Sequence, residues 1–267
     1  MRQVSLVTGG SQGVGKGIVE GLAEAGQCVF FTGRDNARLE QVEKEATALG
    51  GECFARVVDH HDDAAAGALI DEITGTATMD LLVNNVWGGY ENMVENGRFT
   101  FIDPFWEQPL WRWDAMMNIG VRSAFVITQR VVRHMLEQGE GLIINISFWA
   151  AQKHTGNTLY GMAKAATDKM TSDMARELQD KGIQVISLYP GLVRTEKVMA
   201  NAEYLDLSNS ESPRFIGRTI AALKQDMAMR EALNGQVVVA ADIARKLGVV
   251  DIDGKSPEPL TLEKIQE

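Results

Sequence analysis

Cysteine is almost absent: Cys28 and Cys53 are the only two among 267 residues, and there are only six prolines. A disulfide framework needs more cysteines at closer spacing. Each of these two lies inside a strand-like run and reads as a small buried hydrophobe suited to a reducing compartment. No apolar run approaches the ~18 residues that a membrane-spanning helix needs. The chain enters its first strand-like run, Val4-Ser5-Leu6-Val7, with no apolar leader before it. Positive charge is also short: 26 Lys and Arg stand against 36 Asp and Glu, a formal net charge of −10, and the basic residues form no cluster. Nucleic-acid binders and proteins of anionic membrane surfaces carry such a cluster, so both classes are excluded. The expectation is a soluble, cytoplasmic protein that acts on a small molecule.

What is abundant is order of a particular kind. Apolar residues make up 45% of the chain, and there are 26 glycines. Short apolar runs fall at 3–8, 28–32, 53–58, 80–83, 141–146, 183–189 and 236–240. Amphipathic stretches separate them at 14–25, 35–49, 63–75, 111–138, 157–181 and 213–229, with apolar residues at i, i+3 and i+4 such as Val42, Ala46 and Leu49. Such alternation predicts an α/β fold: a Rossmann-like, doubly wound parallel sheet of about seven strands, formed by residues 1–267 as a single domain. Three stretches break the rhythm: 86–110, 192–212 and the tail after 241. The first two follow strands, where a parallel sheet builds its ligand site, and are candidate substrate loops.

The first strand runs into Thr8-Gly9-Gly10-Ser11-Gln12-Gly13-Val14-Gly15-Lys16. Such a turn aims backbone N–H groups and a helix N-terminus at an anion. Three motifs overlap here. Gly10-x4-Gly15-Lys16 fits a phosphate-binding P-loop, but Gly17 stands where Ser or Thr must hold magnesium. Gly9-x-Ser11-x-Gly13 matches a hydrolase nucleophile elbow, which would make Ser11 a nucleophile. That elbow normally follows several strands, and here one precedes it. Glycines 9, 13 and 15 fit a dinucleotide loop, with Gly9, Ser11, Gln12, Gly13, Val14 and Gly15 around the phosphates.

The second strand is followed by Gly33-Arg34-Asp35, so the acid that would bind a ribose 2′-hydroxyl is missing and a guanidinium is adjacent. Arg34 matches a 2′-phosphate, which points to NADP(H). NAD(H) remains open through Asp35, which reads equally as a helix cap. The cluster Asp59-His60-His61-Asp62-Asp63 reads as a helix start rather than a metal site, with Asp59 placed to contact an adenine amino group.

Further along, Ser147 ends a strand, and Tyr160 and Lys164 form a Tyr-x3-Lys pair on a helix. Asn118 lies on the preceding helix, Asn84-Asn85 ends the fourth strand, and Pro190-Gly191-Leu192-Val193-Arg194-Thr195 follows the sixth. With the glycine loop, this order resembles the short-chain dehydrogenase/reductase family over roughly residues 3–240. Trp106-x4-Trp111, Ser212-Pro213-Arg214-Phe215 and the tail Asp242-Ile243-Ala244-Arg245 resemble its SDR family member 1 subgroup. The chemistry suits these residue types. Hydride addition to a carbonyl leaves an alkoxide that needs a proton. Tyrosine can give one if a cation one helical turn away, here Lys164, stabilises its phenolate. Ser147 would hydrogen-bond the substrate oxygen. The resemblance further implies that Lys164 holds the nicotinamide ribose, that Asn118 orders a proton-relay water, and that Thr195 meets the carboxamide. It also implies that Asn85, Pro190, Gly191 and Val193 line the cofactor. A catalytically silent dinucleotide sensor or scaffold is the alternative.

One departure is plain: the family's Asn-Asn-Ala-Gly is here Asn84-Asn85-Val86-Trp87. Aromatic residues also crowd one region: Trp87, Tyr90, Phe99, Phe101, Phe105, Trp106, Trp111 and Trp113, with Phe148 and Trp149 after Ser147. They suggest either a pocket for a hydrophobic carbonyl or alcohol, or rings that pack the loop or form a contact. Residues such as Val126, Val131, Met162, Met170 and Met174 put apolar surface on more than one face of the long helices at 111–138 and 157–181. The resemblance implies homodimers or homotetramers through these helices.

Overall fold

Runs that are apolar at nearly every position suit strands covered on both faces, and this is how the chain uses them. The computed structural model describes residues 2–90 and 92–265. The first half of the chain is strand–helix alternation: β1 (Gln3–Val7), α1 (Gly13–Glu24), β2 (Cys28–Gly33), α2 (Asn36–Thr47), β3 (Glu52–Val57), α3 (Asp63–Thr74) and β4 (Thr78–Asn84). A two-stranded hairpin, β5 (Val94–Glu95) with β6 (Arg98–Phe99), interrupts it. Then come α4 (Leu110–Trp113), a π-helical stretch at Asp114–Arg122, α5 (Ser123–Gln138), β7 (Gly141–Ile146), α6 (Thr158–Glu177) and β8 (Ile183–Tyr189). The chain ends with α7 (Glu196–Met199), α8 (Pro213–Gln225), α9 (Met227–Ala232), β9 (Val237–Val239) and α10 (Ala240–Lys246).

Seven strands form one sheet in the order β3-β2-β1-β4-β7-β8-β9, every pair parallel. The order reverses between β1 and β4, and the loops after both strands meet there, where such sheets bind ligands. Side chains alternate between the two faces. Val7 and Phe31 pack with Ile18, Leu22, Ile216 and Ile220 of α1 and α8. Leu6 and Phe30 pack with Ile70, Ile73, Ile127 and Met135 of α3 and α5. Cys28 and Cys53 are buried free thiols on neighbouring strands.

Four boundaries differ from the pattern-based expectation. The stretch 111–138 is a single helical path with a wide π turn in its middle, a geometry that the 3.6-residue pattern does not encode. The helix expected to run to 181 stops at Glu177. The helix expected over 213–229 breaks at Asp226, whose backbone leaves helical geometry and whose carboxylate caps α9 through the Met229 N–H at 2.9 Å. The tail after 241 breaks the alternating pattern in the sequence, yet α10 forms because Ala240, Ala241, Ile243 and Ala244 bury an i, i+3, i+4 face. No helix among the described residues is long and apolar enough to cross a membrane.

Candidate active site

The glycine loop is held from behind. The Asn85 Nδ2 donates to the carbonyls of Gly9 (2.9 Å) and Thr8 (3.2 Å), and its backbone N–H donates to the Thr8 hydroxyl (3.1 Å). Asn85 therefore buttresses the loop rather than turning its amide to a ligand. Gly9 and Gly13 adopt positive φ of 69° and 58°. A side chain at Gly15 would place its Cβ 2.1 Å from the Gly9 carbonyl oxygen, so the close turn tolerates no side chain there. The Gly9 N–H donates to Thr32 Oγ1, which shares a 2.7 Å hydrogen bond with the buried His60. Burial pushes His60 down to about 4, so it stays neutral and structural.

The Gly13 N–H donates to a carboxylate oxygen of Glu196 at 3.0 Å. The loop thus already holds an anionic oxygen of this chain, and that is the chemistry a phosphate needs. Around the far rim, Ser11 lies against Gly33, and a Cβ at 33 would sit 2.8 Å from both Ser11 Cβ and Oγ. A side chain at 33 would have to displace Ser11. Arg34 follows β2, and its charge helps hold the Asp59 carboxyl below its usual range, after the larger effect of the His61 N–H. Asp35 caps α2 through the Arg38 N–H. Arg38, which motif reading missed, reaches back to Gln12 Oε1 at 2.6 Å. Asp62 caps α3.

At the carboxyl ends of β4 and β7, a small cluster of Phe101, Met116, Ala150 and Ala163 surrounds Tyr160. The Asn157 side chain caps α6 by accepting the Tyr160 N–H at 2.9 Å and donates to the Phe101 carbonyl at 2.5 Å. It therefore fixes the start of the helix and ties the 86–110 loop to it. Lys164, one turn on, is 7% exposed. Its Nζ donates to the Ile146 carbonyl (3.1 Å) and lies 4.3 Å from the Trp87 ring centroid. A cation over an indole face is a favourable pairing. Trp87 replaces a small residue of the family pattern, and glycine accommodates it: a side chain at Gly89 or Gly120 would strike its ring. The Ser147 hydroxyl is buried and donates to the Lys164 carbonyl at 3.3 Å. Asn84 is a core group, donating to Thr128 and Asn145.

Burial raises the Tyr160 phenol well above its usual value. Burial also brings Lys164 down to about 8, partly offset by Asp168. At neutral pH the phenol carries its proton, the form that a carbonyl reduction consumes. Asn118 lies in the π-helical stretch, is exposed, and donates to Asp114 at 2.9 Å rather than turning to Lys164. In the loop after β8, Gly191 N–H donates to the buried Glu211, and Val193 bridges to Glu211, closing the two ends of 192–212 on each other. Burial pushes the Glu211 carboxyl up to about 7. Thr195 caps α7 through the Val198 N–H. Pro190 is buried at the end of β8, and Val14 packs into the core beneath the glycine loop.

The aromatic residues divide. Trp87, Tyr90, Phe101 and Phe148 each meet the Tyr160 ring within 6.3 Å of its centroid. Phe105 and Trp106 stand on the surface, 65% and 71% exposed. Trp111 lies beside the buried Arg112 guanidinium. Trp149 turns away, to Tyr189 and the Leu260 carbonyl.

Residues 3–205 match the family model described as short chain dehydrogenase. The chain belongs to the short-chain dehydrogenase/reductase family. It is 35% identical to dehydrogenase/reductase SDR family member 1 of Mus musculus over 95% of this chain and 84% of that protein. Among solved structures, it resembles one described as an NAD(P)-dependent gluconate 5-dehydrogenase from Beutenbergia cavernae, with NADP bound at low occupancy. The TM-score is 0.76 at 27% identity, covering 90% of this chain and 94% of that one. It also resembles a 7α-hydroxysteroid dehydrogenase complexed with NADH and 7-oxo glycochenodeoxycholic acid. There the TM-score is 0.75 at 26% identity, covering 89% of this chain and 92% of that one. Membership places this chain among the short-chain oxidoreductases.

Proposed function

We propose that this chain interconverts a carbonyl and a secondary alcohol on an apolar small molecule, using NADP(H), with Tyr160 as acid and base. The observation that carries the proposal is the buried Tyr160–Lys164 pair beside Ser147, at the strand ends next to a glycine loop that already accepts an anionic oxygen. The donor set fits a dinucleotide: the loop from Gly9 to Gly15 for the phosphates, Arg34 and Arg38 at the rim for a 2′-phosphate, and Asp59 beyond them. The Pro190–Thr195 segment and Lys164 flank the other half. Gly33 supports NADP(H) over NAD(H), since it offers no acid to a ribose 2′-hydroxyl and any side chain there would have to displace Ser11. When bound, the nicotinamide supplies or accepts the hydride.

The protein's part is positional and electrostatic. Ser147 hydrogen-bonds the substrate oxygen and stabilises its developing charge. Tyr160 gives that oxygen its proton in reduction and takes it back in oxidation, and Lys164 offsets the charge left on the phenolate. The rings of Trp87, Tyr90, Phe101 and Phe148 exclude water and favour an apolar carbonyl. The test is a carbonyl panel followed by loss of NADPH absorbance. Bulky apolar ketones should outperform small polar sugars, and the reverse order would refute the apolar site. Exposed apolar residues on α5 and α6, including Phe125, Leu136 and Met162, support self-association through these helices.

Glu196 gives a quantitative expectation. Its carboxylate occupies a loop N–H and carries the same charge as a pyrophosphate. Glu196→Gln should tighten NADPH binding roughly fivefold at low salt, the size of one exposed charge pair in water. The gain should shrink as salt rises, and adenosine 2′-monophosphate, which lacks the pyrophosphate, should bind both forms equally. Equal NADPH affinity in the two proteins would mean that the contact has no role in binding.

A further inference from the structure

Tyr90 follows the Val86-Trp87-Gly88-Gly89 turn after β4, seventy residues before Tyr160 in the chain. In the fold the two phenol oxygens are 2.8 Å apart, and the rings lie 5.9 Å apart between centroids. Three contacts hold Tyr90 in place: its ring meets Trp87 edge-on and Phe101 at a tilt, and the Lys197 Nζ donates to its backbone carbonyl at 2.8 Å.

The direction of the hydrogen bond follows from what Tyr160 must do. A phenol oxygen has one proton and two lone pairs. In the reading proposed above, on which this inference rests, the Tyr160 proton points at the substrate oxygen. Its lone pairs are then free to accept, and Tyr90 is the donor. When Tyr160 loses its proton the Tyr90 bond becomes charge-assisted, and such bonds are about twice as strong as neutral ones. We infer that Tyr90 is a positioning residue of this site, whose hydroxyl donates to the Tyr160 oxygen and stabilises the phenolate formed there during turnover.

The charged and titratable groups that face Tyr160 come from three sides. Lys164 lies on its own helix, with Nζ 5.8 Å from the Tyr160 ring centroid. Tyr90 comes from the loop after β4, backed by Lys197 of α7. Tyr189 comes from β8, where its hydroxyl is bonded to Asp168. Tyr189 is thereby committed elsewhere, and Lys164 supplies charge but is held by the Ile146 carbonyl. Tyr90 is the phenol whose donor is aimed at Tyr160.

Tyr90→Phe keeps the ring and its packing and removes only the donor. Tyr90 is 41% exposed, so the change leaves no buried cavity. In the alcohol-oxidising direction, kcat/KM climbs with pH until Tyr160 is deprotonated. Losing a hydrogen bond to a charged oxygen should move that limb up by about one pH unit. The variant is then about tenfold slower below the limb and equal to the parent above it. A limb that stays in place overturns the inference, as does a raised KM at every pH with no shift. Tyrosinate absorbance reads the same coupling without turnover. A hydrogen-bonded pair loses its first proton at lower pH than either phenol alone. Tyr90→Phe and Tyr160→Phe should both raise that first midpoint, and unchanged midpoints would overturn the inference. A kinetic limb that survives in Tyr160→Phe would instead refute Tyr160 as the acid and base, leaving the absorbance titration to decide Tyr90.

Discussion

Tyr160→Phe is expected to lower turnover by about 10²–10⁴-fold, the range for removing a positioned acid or base. NADPH binding should persist. The phenyl ring retains its contacts with Trp87, Phe101 and Phe148, and the helix start keeps its Asn157 cap, because that bond uses the backbone N–H. The fold loses one hydroxyl and its bond to Tyr90. A large drop in kcat with unchanged NADPH affinity and unchanged circular dichroism is therefore the expected result. Turnover within a few-fold of the parent would show that another group moves the proton.

Gly17→Ala is expected to destabilise the fold by about 3 kcal/mol, at the upper end for overpacking. The Cβ would lie 2.0 Å from the backbone carbonyl carbon of Pro213, where α8 crosses α1. That obstacle is backbone, not the end of a flexible side chain, so a helix must shift. In thermal unfolding this corresponds to a Tm lower by roughly 6–10 °C. An unchanged Tm would mean that the α1–α8 crossing is looser than described. The same contact explains why the P-loop pattern fails: a Ser or Thr at 17 has no room.

Much of this architecture was legible from pattern. The seven strands and their helices follow from β-branched runs alternating with amphipathic stretches, and Asp35 and Asp62 could be read as caps. Local signals failed where tertiary packing decides. The π turn at Asp114–Arg122 leaves no mark on a 3.6-residue period, and α10 is short enough for its apolar face to pass as a tail. In the site, Ser147, Tyr160 and Lys164 stand out in the sequence through the family resemblance, and the fold brings Ser147 against Lys164, one helical turn from Tyr160. Asn157, Arg38 and Glu196 were not, since each acts across the fold, and Glu196 meets Gly13 from 183 residues away. Trp87 and Tyr90 were visible as aromatic residues, but their places over Lys164 and on Tyr160 required the loop's path. Asn118 marks the opposite case: the motif position is present, while its side chain bonds to Asp114.

Nicotinamide fluorescence tests most directly whether this site holds an NADP(H) dinucleotide against Tyr160. Purified protein titrated with NADPH and, separately, with NADH at one fixed salt concentration should saturate with both, and at much lower concentration with NADPH. Saturation by neither cofactor would contradict the account.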